Sequence, residues 1–121
     1  MPKSQSAKPY NLEERTYLFA KEVTLFCKKY PNNASNFEYV RQVIRSSGSV
    51  GANYIEANES LGKKDFLMKI KTCRKEAKES AYWLKLLCET NSETLSLEGE
   101  SLFNEAVELK KIFSSIIEKF T

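Results

Sequence analysis

Between residues 63 and 85 the chain carries eight bases (Lys63, Lys64, Lys69, Lys71, Arg74, Lys75, Lys78, Lys85) against three acids (Asp65, Glu76, Glu79), a local charge of +5. The whole chain is only +3, so the remainder is net −2. On a helix, Lys64, Lys71, Arg74, Lys75, Lys78 and Lys85 project into one arc of roughly 100°, with Glu76 and Glu79 on the opposite flank. Six clustered cations can displace counterions from a phosphate backbone, which gives salt-sensitive, largely sequence-independent binding. Tyr82 falls in the same arc and offers a ring on which a base could stack. Arg41 and Arg45 form a second, smaller basic pair. The other reading of such a stripe is a solvated helix flank.

The residues for bond-making chemistry are missing. Histidine is absent, which removes the commonest general base and the usual zinc ligand. The carboxylate pairs Glu56/Glu59 and Glu76/Glu79 read as surface or ion-pair residues, because no nucleophile or cofactor site accompanies them. Cys27, Cys73 and Cys88 are odd in number and show no CxxC spacing, so they read as reduced core thiols. The expectation is a protein that is not an enzyme, with no metal, no cofactor and no small-molecule substrate.

The elements that must carry the basic stripe are helices. At 121 residues and 41% hydrophobic, the chain suits one domain with one core. Residues 1–10 are polar with two prolines and are expected to form a mobile tail, leaving 11–121 as the folded domain. Asn11 followed by Glu14 marks a helix start, and the apolar spacing of Leu12, Thr16, Phe19, Val23, Phe26 and Tyr30 carries that helix to about Tyr30, before Pro31. A second helix is expected from about Ala34 to Ser60, with Phe37, Val40, Val43, Ile44, Ser47, Val50, Tyr54 and Ile55 inward. Its small-residue stretch Ser46–Ala52 either lets a neighbouring backbone approach closely or breaks the helix. A third helix spans about Asp65 to Glu89, capped by Asp65, and a fourth about Leu97 to Phe120. Short connections between four helices predict an all-α fold, an up-down-up-down antiparallel four-helix bundle. With no membrane-length apolar run and no secretory apolar core, the expected location is the cytoplasm, away from membranes.

More than one face looks apolar. Leu18 and Leu25 point nearly opposite the main stripe of the first helix. On the last helix Leu102, Phe103, Ala106, Val107, Leu109, Ile112, Phe113, Ile116, Ile117 and Phe120 cover an arc of roughly 220°, wider than one bundle core needs. This predicts a homo-oligomer whose interface includes Leu18, Leu25, Leu109, Ile112 and Ile116.

The segment Gln42-Val43-Ile44-Arg45-Ser46-Ser47-Gly48-Ser49-Val50-Gly51-Ala52-Asn53-Tyr54-Ile55-Glu56-Ala57 resembles the hallmark Q-x-x-R-x-x-x-S-I-x-A-N-I-x-E-G of the 23S ribosomal RNA intervening-sequence, or four helix bundle, family. Downstream, Cys73-Arg74-Lys75-Glu76-Ala77-Lys78-Glu79-Ser80-Ala81-Tyr82-Trp83-Leu84 is similar to that family's A-R-x-E-x-x-E-[ST]-x-Y-W-L helix. Ala57 stands where glycine is usual, and Val50 and Gly51 where isoleucine and proline are commoner. The resemblance implies a four-helix bundle and a homopentamer. By likeness to the accessory protein of diversity-generating retroelements, it also implies binding of RNA or DNA, or of a reverse transcriptase, through a basic surface. Within the motif, Gln42, Arg45, Ser49, Asn53 and Glu56 recur every three or four residues and share a helix face. They form either a binding site or a hydrogen-bonded seam that fixes helix register or a subunit contact.

Overall fold

The computed structural model describes residues 11–121; the expected tail, residues 1–10, lies outside the described residues. Four helices follow one another: α1 (Leu12–Cys27), α2 (Ala34–Asn58), α3 (Lys63–Glu89) and α4 (Ser96–Lys119), with a 3-10 turn at Glu93–Leu95. They form the antiparallel up-down-up-down bundle, packed along α1–α2, α2–α3, α3–α4 and, most sparsely, α1–α4.

Side-chain caps set several helix boundaries. The Asn11 carboxamide accepts from the backbone N–H groups of Glu13 (2.9 Å) and Glu14 (3.3 Å), and Asn33 accepts from Asn36 (2.9 Å). Asn36 and Asn91 then exchange two amide hydrogen bonds of 2.9 and 2.8 Å, tying the start of α2 to the end of α3. α1 stops at Cys27, about a turn short of the expected Tyr30. Residues 29 and 30 close instead by bonds to Phe26 and Cys27, because Pro31 keeps the residue before it out of the helical region. α3 begins at Lys63 with Gly62 as its N-cap; Asp65 sits inside the first turn, 3.4 Å from Lys69, and does not cap.

The small-residue stretch does not break α2, which is helical throughout Ala34–Asn58. A Cβ added at Gly51 would lie 3.0 Å from Thr16 Oγ1, so α1 crosses α2 at close range there, whereas Gly48 has nothing within 4 Å. Gly99 plays the same part for α4: a side chain there would collide with the Cys88 thiol of α3 and crowd Phe26 of α1.

The core contains Phe19, Val23 and Phe26 of α1, Val43 and Val50 of α2, Ile70, Cys73, Ala77, Leu84 and Leu87 of α3, and Ala106, Leu109 and Phe113 of α4. Two expectations fail here. Leu109 is fully buried within the single subunit, so it belongs to the core and not to a subunit interface. Phe37, Ile44 and Ile55, expected inward, are 59%, 39% and 52% exposed. The inward line of α2 runs through Asn36, Val43, Ser46, Ser47, Val50 and Ala57, so small and polar residues set its orientation and turn the larger apolar ones outward.

Candidate nucleic-acid interface

The flank of α3 that faces α4 opens into a groove. A cavity of about 400 Å³ there is lined by Lys71, Arg74, Lys75 and Lys78 of α3 and by Lys110 and Ser114 of α4, with no carboxylate in the lining. Lys75 lies 4.0 Å from the inward-facing Glu76. Among the described residues, no carboxylate lies within ion-pair distance of Lys71, Arg74, Lys78 or Lys110. Four cations held close together without counter-charges create a positive potential that only a mobile anion relieves. The fold makes this possible by spacing the α3 cations at one-turn intervals on the flank where α4 contributes only Lys110 and Ser114.

The opposite flank of α3 is different. Arg45 reaches from α2 to two carboxylates of α3, Glu76 at 3.3 Å and, closer still, Glu79. The Glu79 carboxylate also accepts from Trp83 Nε1 at 3.2 Å. Burial alone would raise the Glu79 pKa, but the bonds from Trp83 and Arg45 outweigh it and hold the group below its ordinary value. The same Glu79 contact raises the Arg45 pKa. Beneath this cluster the hydroxyls of Ser46 and Ser80 meet at 2.8 Å, both fully buried. Beside it Tyr39 stacks on Trp83 with ring centroids 6.0 Å apart, and Tyr82 packs edge-on against Trp83 at 5.0 Å.

The basic residues expected from the sequence therefore separate. Lys71, Arg74, Lys75 and Lys78 come together in the groove. Lys85 stands further along it, lining a second cavity, and Lys64 is exposed near the start of α3. Tyr82 is 58% exposed one turn beyond Lys78, so its outer face is open. Arg45 is committed to Glu76 and Glu79 and leaves the set of free cations, while Arg41 is exposed on α2, 3.8 Å from Glu38. Lys110 and Ser114 were missed by the sequence reading. Their signal was the polar gap they make in the otherwise apolar face of α4, which only the pairing of α4 with α3 turns into part of a site.

The polar motif of α2 does not form one continuous seam. Gln42 bonds to Glu38 (3.1 Å) and Asn53 to Ser49 (2.8 Å to the carbonyl, 3.2 Å to the hydroxyl), all within α2. Arg45, and Glu56 at 4.0 Å from Lys69, cross to α3. The motif is thus a two-point connection between α2 and α3.

The expected interface residues scatter as well. Leu18 lines a separate cleft of about 480 Å³ between α1 and α4, beside the forked pair of Arg15 with Glu105 at 2.7 and 2.9 Å. Ile112 and Ile116 are half-buried, and Ile116 packs on the core. Leu25 is 50% exposed beside Tyr17 on α1, and Phe37, Ile44 and Ile55 are exposed on α2. No helix among the described residues is long and apolar enough to cross a membrane.

Comparison with known proteins agrees with this architecture. A crystal structure of a protein of unknown function from the S23 ribosomal protein family of Bacteroides thetaiotaomicron VPI-5482 superposes with a TM-score of 0.78 at 33% identity, covering 88% of this chain and 97% of that one. A comparison with curated proteins returned no match. The family model described as 23S rRNA-intervening sequence protein matches residues 10–115. That match spans nearly the whole bundle, and the chain belongs to the 23S rRNA-intervening sequence protein family.

Proposed function

We propose that this protein is a non-enzymatic, cytoplasmic, homo-oligomeric bundle that binds nucleic acid through the α3–α4 groove. The observation that carries the reading is the convergence of Lys71, Arg74, Lys78 and Lys110 on one groove without carboxylate partners. A merely solvated basic flank interleaves its cations with acids, as Lys69 does with Asp65 and Glu56. This groove does not. Filter binding to random RNA and to duplex DNA across a salt series tests it. Four engaged cations give a log–log salt slope of about −3 to −4 on duplex DNA, and Lys71→Glu with Lys78→Glu flattens it. Absence of binding at low salt removes the reading.

Self-association is the second part of the proposal, and its surface moves from the predicted one. Phe37, Ile44 and Ile55 leave large apolar side chains exposed along α2, as Tyr17 and Leu25 do on α1, and Gly48 between Ile44 and Ile55 leaves room for a helix of another copy. Light scattering distinguishes assemblies from a 13.9 kDa monomer. Ile44→Glu is expected to shift the distribution to monomer while the circular dichroism spectrum stays helical.

A further inference from the structure

We infer that the α3–α4 groove takes single-stranded rather than duplex nucleic acid, seating one unstacked, amine-bearing base, guanine foremost, in its second cavity. The inference rests on the phosphate-binding reading of the cationic end. That second cavity, about 400 Å³, lies between the same two helices and is lined by Leu97, Phe103 and Cys88 together with Glu89, Glu100, Lys85 and Ser96, whose hydroxyl donates to the Glu93 carbonyl at 2.8 Å. Its volume is within the range of roughly 300–1,000 Å³ typical of small-ligand sites. From Lys78 to Lys85 on α3, and from Lys110 back to Phe103 on α4, the chambers are seven residues apart, about 10 Å along the helices. One groove thus holds two chambers of opposite character.

A duplex cannot use both. It presents phosphates at even intervals and keeps its bases stacked inside, so a duplex lying along the groove would set phosphate against Glu89 and Glu100. A single strand is free to leave its phosphates on Lys71, Arg74, Lys78 and Lys110 and to turn one base into the neighbouring chamber. There the Phe103 ring and the Leu97 side chain offer apolar surface, and the half-buried Cys88 thiol is held protonated because burial raises its pKa. Ionised carboxylates only accept hydrogen bonds, so the edge of the base that enters must donate. Guanine donates from its N1–H and 2-amino group side by side, matching the two oxygens of one carboxylate, and its O6 accepts from a cation such as Lys85. Adenine and cytosine donate from one exocyclic amine with no ring N–H beside it, and uracil donates from a single ring N–H, so none of them offers the adjacent pair of donors.

Fluorescence anisotropy on the intact protein separates the possibilities, using labelled RNA strands of equal length: all-uridine, uridine with isolated guanines, and the latter annealed to its complement. The guanine-containing single strand is expected to bind at least tenfold tighter than either of the others at matched salt. In the Glu89→Gln, Glu100→Gln double variant the loss of negative charge raises affinity for the all-uridine strand, while the guanine preference falls towards one. If the carboxylates merely repel, affinity rises equally for all strands and the preference is unchanged, which overturns the inference. Equal binding of duplex and single strand by the unmodified protein overturns it as well and leaves the phosphate-binding reading standing. Failure of every strand to bind at low salt removes both.

Discussion

The two flanks of α3 carry the same kind of charge and put it to opposite uses. Toward α2, Arg45 is fixed by Glu76 and Glu79, and Glu79 is held in turn by Trp83. Toward α4, Lys71, Arg74, Lys78 and Lys110 face a groove with no carboxylate in its lining. A cation whose field is cancelled by buried partners adds to helix pairing and has little left for a ligand. One without partners gains nothing in the fold and keeps its full field for an incoming anion. The position of a basic residue in the sequence therefore says less about its role than the identity of what stands opposite it.

The sharpest way to break this comparison is to exchange the roles. Arg45→Met leaves the Glu76 carboxylate, 7% exposed, without its partner from α2. Because Arg45 itself is half-exposed, the loss is expected at about 2 kcal/mol, below the range for a fully buried pair. Urea denaturation reads it directly, and nucleic-acid affinity should not change beyond experimental error. If the variant keeps its stability and loses binding, the assignment of the two flanks is reversed.

The reciprocal experiment acts on the groove. Lys78→Glu with Lys110→Glu is expected to weaken binding at low salt by at least tenfold, about 1.4 kcal/mol, and to leave the urea midpoint within about 0.5 kcal/mol of the parent. Lys110 is the informative member of this pair, since only the packing of α4 on α3 places it among the cations. A variant carrying Lys64→Glu alone, exposed near the start of α3 and absent from the groove lining, should fall well short of that effect.

The legible part of the molecule follows from the same contrast. Four helices, their order and the identity of most α1, α3 and α4 core residues were readable, because apolar side chains at helical spacing have few alternatives in water. α2 was misread in orientation. There Ser46 and Asn36 face inward beside the expected Ser47, and Phe37, Ile44 and Ile55 face outward, an arrangement that hydroxyl pairing with Ser80 and the Asn36–Asn91 amide exchange make affordable. Pattern alone cannot reveal it, since Ser46 and Asn36 are each satisfied by a partner far away in sequence. The site was half readable for the same reason. The cations of α3 share one helix and announce themselves by spacing, whereas Lys110 and the neutralisation of Arg45 are products of tertiary pairing. Leu109 failed in the opposite direction: it was assigned to a subunit interface on the wide apolar arc of α4, and the single subunit buries it completely.

The smallest effect concerns pH. Unfolded, Glu79 titrates near its ordinary 4.5, and in the fold Arg45 and Trp83 hold it lower. The unfolded chain therefore binds this proton more readily. The contribution is present above about pH 4.5 and is lost as the pH falls through the folded value. Arg45→Met removes the part of the depression that Arg45 adds to the Trp83 bond, so the stability difference between parent and variant should narrow as the medium is acidified below pH 4.5. The groove gives the contrasting behaviour. Its lining has no carboxylate, so the charge it offers a phosphate does not follow the Glu79 titration. Stability curves at a series of acidic pH values, paired with salt slopes measured at the same values, place the two flanks on one axis. Slopes that collapse together with the Arg45-dependent stability would mean that the flanks are coupled and that the groove depends on the α2–α3 connection for its shape.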